Sequence, residues 1–160
     1  MGANLSADQL RVARRRVPGA ALVRTDAAAL PFPDRRFEVV VMAFVHTDLD
    51  DVGAALAEAS RVLLRGGSLV HLGTHPCFVG PFARMQGEAP PLLLPGYRDT
   101  RRTDDSPAFG DGLRRRVGVR HVPLAALLNA FIDAGLMLEQ AVDPAGQDFP
   151  RTLALAARAF

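Results

Sequence analysis

The chain has 160 residues and a mass of 17.1 kDa, which fits one domain of roughly 100–200 residues. Hydrophobic residues make up 49% and charged residues 22%, which excludes a collagen-like, coiled-coil or wholly disordered chain. Nineteen basic residues stand against seventeen acids, for a net charge of +2, a balance that does not call for a nucleic-acid partner. All nineteen are Arg, and with so much Ala this reads as GC-rich coding. The short runs Arg14–Arg16, Arg101–Arg102 and Arg114–Arg116 read as solvated faces. Cys77 is the only cysteine, so neither an internal disulfide nor a multi-cysteine metal site is available. No apolar stretch reaches the roughly 18 residues of a membrane span, and the N-terminus lacks the apolar core of a signal peptide. The expectation is a cytoplasmic protein. Size scaling predicts a folded surface of roughly 7,700 Å² against roughly 25,000 Å² unfolded, enough burial for a real core.

Ser6 is suited to cap a helix over Ala7 to Arg16, with Asp8 in the first turn and Pro18-Gly19 as the stop. Ala20 to Arg24 is short, apolar and strand-like. Thr25 to Arg36, with Pro31, Pro33 and Asp34, is a loop. Phe37 to Phe44 is the strongest strand, and its nearly unbroken apolar run predicts cover on both faces. Asp48, Asp50 and Asp51 open a helix to about Leu64, with Val52, Leu56, Ala59 and Leu63 as its apolar stripe and Gly66-Gly67 as its stop. Ser68 to Leu72 is a second buried strand, which completes a strand–helix–strand unit and hence a parallel pair.

From Thr74 to Arg120 the sequence is rich in Pro, Gly, Arg and Asp, with little periodicity. A structureless segment of that length inside a compact domain is functional or mobile. Pro123 to Ala134 is a helix with Leu124, Leu127, Leu128 and Phe131 on one side and Gly135 as its cap. Leu136 to Val142 and Arg151 to Phe160 are strands joined by the turn Pro144 to Pro150, short enough to make them antiparallel neighbours.

The order of these elements, and the words at their junctions, resemble a class I S-adenosylmethionine-dependent methyltransferase of the type 11 kind. The likeness is carried by Gly2-Ala3-Asn4-Leu5-Ser6, by Asp26 through Asp34 leading into Phe37-Glu38-Val39-Val40, by Arg61 through Val70, and by the C-terminal strand pair. The resemblance implies an α/β, Rossmann-like sheet, mostly parallel with a C-terminal antiparallel hairpin. It also implies a first strand and a glycine-rich turn upstream of Met1, which this sequence does not contain. The reading is therefore a partial methyltransferase domain over residues 1–160: a fragment, a diverged domain, or a chain whose gap a partner fills. Without that strand the sheet has an open edge, through which self-association is expected.

The resemblance assigns cofactor roles as well. Asp26 is expected to accept from the adenine amino group, with the Ala27 backbone beside it and Leu5 against the adenine face. Asn4 stands where the family commonly has an acid for the ribose hydroxyls, and it reads equally as a ribose ligand or a helix cap. The alternative for Asp26 is a loop residue capping its own turn. Phe44 closes the central strand at the cofactor's edge. His46, just beyond it, reads as a base or substrate orienter, or else as a cap on the next helix. His75, Cys77, Phe78 and Tyr97 are expected to line the pocket of a small-molecule acceptor. The 74–120 insertion, with Phe82, Leu92 to Leu94 and Phe109, forms a lid over it. His71, inside a strand, reads as structural, and His121 as a cap or surface residue. The spacings make no metal site. The two functional classes that follow are a methyltransferase and a non-catalytic binding or scaffold protein with the same fold.

Overall fold

The computed structural model describes residues 1–87, 89–106, 113–144 and 149–160. Phe109 and the side chain of Arg114 lie outside the described residues, as do residues 145–148 of the expected turn. The chain begins with a parallel unit: strand β1 (Gly2–Asn4), helix α1 (Ala7–Arg16) and strand β2 (Leu22–Arg24). Ser6 caps α1 by accepting from the Gln9 N–H, and Arg14, Arg15 and Arg16 occupy its last turn, where they favour the helix dipole. α1 lays only Leu10 fully into the interior.

The second body is a four-stranded sheet in the order β3-β4-β10-β9. β3 (Phe37–Ala43) pairs in parallel with β4 (Leu63–Thr74). β10 (Thr152–Ala159) runs antiparallel to β4 and to β9 (Leu136–Val142), as expected for the C-terminal hairpin. Helix α2 (Val52–Val62) crosses from β3 to β4, with its Asp51 cap accepting from the Ala54 N–H. α4 (Leu124–Asp133) precedes β9, and Gly135 follows it at φ +70, a conformation suited to glycine. Alternation sends Val40, Met42, Leu69, Leu153, Leu155 and Ala157 to one face, where Ala55, Leu56 and Ala59 of α2 and Leu127 and Phe131 of α4 cover them. Each such fully buried large side chain contributes roughly 1.5–3 kcal/mol.

Three expectations need correction. β3 is covered on one face only: Val39 and Val41 are 55% and 64% exposed. Val41 pairs with Val70, also exposed, and the row continues through Ala156. The run of apolar residues in β3 told of its composition, but cover depends on what packs above it, and no described helix does. Gly66-Gly67 does not stop α2, which ends at Val62. The glycines instead lie inside β4, where Gly66 takes φ +73 and the pairing jumps from Phe37↔Leu63 to Val39↔Ser68. Gly67 is required there by space, since a Cβ would sit 2.8 Å from the Leu64 carbonyl oxygen. The segment from 74 to 120 is not without structure. It forms the hairpin β5 (Ala83–Gln86) with β6 (Ala89–Leu93), the pair β7 (Arg102–Thr103) with β8 (Val119–Arg120), and the short helix α3 (Leu113–Val117).

β1 and β3 each keep one unpaired edge, because β1 pairs only with β2 and β3 only with β4 among the described residues. The expected separation of the Ala20–Arg24 segment from the main sheet is thus observed. The accessible surface is 9693 Å², against roughly 7,700 Å² for a compact monomer of this mass. The open apolar face and the outlying N-terminal unit contribute to that excess. The loop from 25 to 36 ties the two bodies together. Glu58 accepts from the Leu30 N–H, and Arg61 donates to the carbonyls of Leu30 and Phe32 and to Asp34. Arg61 and the Leu30 amide hold Glu58 below the usual carboxylate range.

Candidate functional site

The carboxyl ends of the parallel strands β1, β2 and β3 carry Asn4, Asp26 and Phe44, a placement that suits ligands in open α/β sheets. The Asn4 side-chain oxygen accepts from the Ser6 N–H at 2.8 Å, so part of the amide serves the entry into α1. One Asp26 carboxylate oxygen accepts from the Ala28 N–H at 2.9 Å, a turn that fixes the loop. Its other oxygen has no hydrogen-bond partner among the described residues and faces out with the exposed residue. Ala27 is half-buried beside it. Leu5 is exposed, and its carbonyl accepts from the Arg24 guanidinium, which pins the turn after β1. Phe44 sits at φ +53, a region that costs a bulky residue of order 1 kcal/mol or more. Its N–H donates to the Leu72 carbonyl, so the β3–β4 ladder holds the strained turn in place. This set fits S-adenosylmethionine: a free carboxylate oxygen for an amino group, an exposed aliphatic side chain for a ring face, and a strained strand end.

His46 follows in the turn after β3 and is 2% exposed. Its ring packs edge-on against His71 with centroids 5.0 Å apart, and His71 packs in turn on Phe131. Gly73 makes the pair possible, since a Cβ there would lie 2.4 Å from His46 Nδ1. Burial pushes the His71 pKa down to about 4, and neither of its ring nitrogens has a hydrogen-bond partner among the described residues. His71 is structural, as its strand position implied.

The structure brings His75, Cys77 and Phe78 together just beyond β4. His75 Nδ1 accepts from the Cys77 N–H at 3.1 Å, which leaves Nε2 to donate toward Asp143, 3.4 Å away. Burial pushes the His75 pKa down and Asp143 opposes it. Phe78 lies against His75 and Phe149. Tyr97 belongs to another cluster, with Phe82 and His121. Its hydroxyl accepts from the Leu124 N–H at 3.0 Å, so it caps α4 in place of Pro123, which has no side chain to do so. His121 is neither a cap nor a surface residue: it is 2% exposed, wedged between Phe82 and Tyr97. Nothing local in the sequence signals this, because the partners come from residues 24 and 39 positions away. The 74–120 segment docks on the turn after β3: the Arg120 N–H donates to the Thr47 carbonyl, and Arg102 donates to that of Asp48. Among the described residues no group of three or more His, Cys, Asp or Glu is arranged to hold a metal. No described helix is long and apolar enough to cross a membrane.

Residues 1–71 match the family model described as a methyltransferase domain. A demethylmenaquinone methyltransferase of Renibacterium salmoninarum is 38% identical over 93 residues, which is 58% of this chain and 39% of that protein. A second, from Thermus thermophilus, is 40% identical over 86 residues, 51% of this chain and 39% of that protein. The chain thus matches about two-fifths of the length of these curated relatives. In solved structures, the fold is similar to an S-adenosylmethionine-dependent methyltransferase from Mesorhizobium loti, with a TM-score of 0.79 and 20% identity, covering 98% of this chain and 78% of that one. It is also similar to a protein of Listeria monocytogenes described as a putative methyltransferase of the same kind, with a TM-score of 0.76 and 15% identity, covering 99% and 79%. By the sequence of residues 1–71 and by the fold of the chain, this is a class I methyltransferase-family protein, of the family whose cofactor is S-adenosylmethionine.

Proposed function

We propose that this chain binds S-adenosylmethionine across Asn4, Leu5, Asp26, Ala27 and Phe44, and that the protein it represents transfers a methyl group to a small-molecule acceptor. The observation that carries this reading is the arrival of Asn4, Asp26 and Phe44 at the carboxyl ends of three parallel strands. When bound, the cofactor supplies an electrophilic methyl group on a sulfonium. The protein's part is to align the acceptor and, for a hydroxyl or activated carbon, to hold its proton. In this proposal Asp26 accepts from the adenine amino group, Leu5 packs on the ring, and Asn4 bonds the ribose with whatever capacity its turn leaves. His75, Cys77, Phe78 and Tyr97 belong to the acceptor side, with residues 74–120 as its lid. His46 acts as an orienter from beneath the turn after β3. The names of the curated relatives favour a quinone-type ring as the first acceptor to try. Cytoplasmic location belongs to the same proposal.

A second reading, a binding or scaffold protein that keeps the fold without catalysis, is favoured by the local use of Asn4 and of one Asp26 oxygen in turns. Titration with S-adenosylhomocysteine separates the two, followed by calorimetry and by the amide resonances of Asp26 and Ala27. The first reading predicts shifts at these amides, and a loss of about 1–3 kcal/mol in Asp26→Ala, the cost of unpaired buried polar groups. Unchanged affinity in that variant returns Asp26 to a turn residue and favours the second reading.

A further inference from the structure

A cavity of about 140 Å³ lies between the end of β4, the β5 hairpin and β8. Val79, Pro81, Met85 and Val119 give it apolar walls, and Arg120 and His121 line it too. Its size is close to that of an engineered cavity of roughly 150 Å³ that takes up benzene. Unlike that cavity, this one is not wholly apolar. His121 Nε2 and Arg120 Nε are both buried and have no hydrogen-bond partner among the described residues. A buried polar atom left unmade costs free energy, so a pair of them beside one cavity calls for a ligand group to satisfy both.

The surroundings fix both side chains. The Arg120 N–H is held by the Thr47 carbonyl and its guanidinium by the Thr100 carbonyl, which leaves Nε as a stationary donor. His121 is clamped between Phe82 and Tyr97, with ring centroids 4.7 and 5.0 Å away. Gly80 lets this cluster close: a Cβ there would lie 2.8 Å from the Phe82 ring and 3.4 Å from His121 Nδ1. The Tyr97 backbone carbonyl accepts from the His121 ring. Because Nε2 has no partner, the donor to Tyr97 is Nδ1. Burial lowers the His121 pKa. In this neutral tautomer Nε2 presents a lone pair.

We infer that this cavity is a subsite for a single hydroxylated ring, whose hydroxyl donates to His121 Nε2 while a neighbouring oxygen accepts from Arg120 Nε. The ring's apolar body lies against Val79, Met85 and Val119. A purely aliphatic or unsubstituted ring fills the space but leaves both nitrogens unsatisfied, so the subsite selects for the oxygen pair. The inference deepens the proposed methyl transfer, and rests on it only for the ring's role as acceptor.

The test uses the full chain without cofactor, with catechol as probe and toluene as the apolar control. It follows the His121 ring nitrogens and the Met85 methyl by NMR. Catechol is expected to move both signals and to bind at least tenfold more tightly than toluene. In His121→Phe the two probes are expected to bind within threefold of each other. Met85→Trp, which fills the cavity, is expected to abolish binding of both while leaving the S-adenosylhomocysteine titration as it was. Equal affinity for the two probes in the native chain overturns the inference, as does a catechol complex that leaves His121 Nε2 unmoved. A water molecule on Nε2 that catechol does not displace overturns it as well. Should His121→Phe not fold, the native-chain shifts and Met85→Trp decide. Failure of S-adenosylhomocysteine to bind at Asp26 would leave this assay untouched, so the two proposals fail separately.

Discussion

The β1–α1–β2 unit and the four-stranded sheet are built from strands of similar kind, yet only the second is anchored. The sheet lays one face against α2 and α4, and its central side chains Leu69, Leu155, Leu127 and Phe131 are almost wholly buried. The N-terminal unit has two three-residue strands, and among α1 residues only Leu10 is buried. Its main ties to the rest are the Glu58 and Arg61 bonds to the loop at 30–34. The lesson concerns where stability and binding sit: three of the five proposed cofactor residues (Leu5, Asp26 and Asn4) belong to the loosely anchored part. Ordering a residue costs about 1–2 kcal/mol, which so little buried surface hardly offsets. Cofactor affinity is therefore coupled to ordering this unit.

The comparison can be broken most severely in the two cores. Leu69→Ala is expected to cost about 2–5 kcal/mol of global stability, as large-to-small changes in closed cores do. Leu10→Ala is expected to leave the main denaturation transition nearly in place, because it loosens only the outlying unit. Equal costs in urea unfolding would show that the two bodies are one cooperative core.

A somewhat smaller effect follows from acid. Burial lowers the His71 pKa from 6.5 to about 4. The unfolded chain takes up a proton near pH 6.5 that the folded chain refuses until about pH 4, so stability is full above that window and is lost as pH falls through it. At roughly 1.4 kcal/mol per pH unit the loss approaches about 3 kcal/mol. His75 and His121, also lowered by burial, act in the same direction. His71→Leu should flatten this acid limb of the stability–pH curve. A curve of unchanged steepness would move the titration to other groups, His46 being the neighbour to examine.

How far the sequence foretold these parts depends on how local each signal is. α1 was legible because Ser6, Asp8 and Pro18 mark its ends within the segment itself. The β9–β10 hairpin was legible from a short turn between two apolar runs. The chain-wide order of elements made the strand-end residues Asn4 and Asp26 legible too. The open side of β3 was not, since the sequence of Phe37–Ala43 is that of a doubly covered strand and cover is supplied from elsewhere. Nor was the Phe82–Tyr97–His121 cluster, whose members are brought together by the fold of an aperiodic segment. Gly66-Gly67 misled because the same dipeptide serves a helix stop and an irregular strand.

The smallest expected effect sharpens the comparison at the open face. Val41→Thr, at an exposed position, should change stability by no more than about 0.5 kcal/mol. It should also weaken the self-association expected of an open apolar face and edge, read by sedimentation. A loss as large as that of Leu69→Ala would mean that another part of the protein covers Val41.

The most direct test of the central claim is residue-resolved amide hydrogen exchange on the chain, with and without S-adenosylhomocysteine. The account predicts that amides in residues 1–25 exchange much faster than those in residues 37–72, and that the cofactor product slows the first group selectively. Uniformly slow exchange in a monomer, unchanged by the ligand, would contradict it, because the N-terminal unit would then be as firmly built as the sheet.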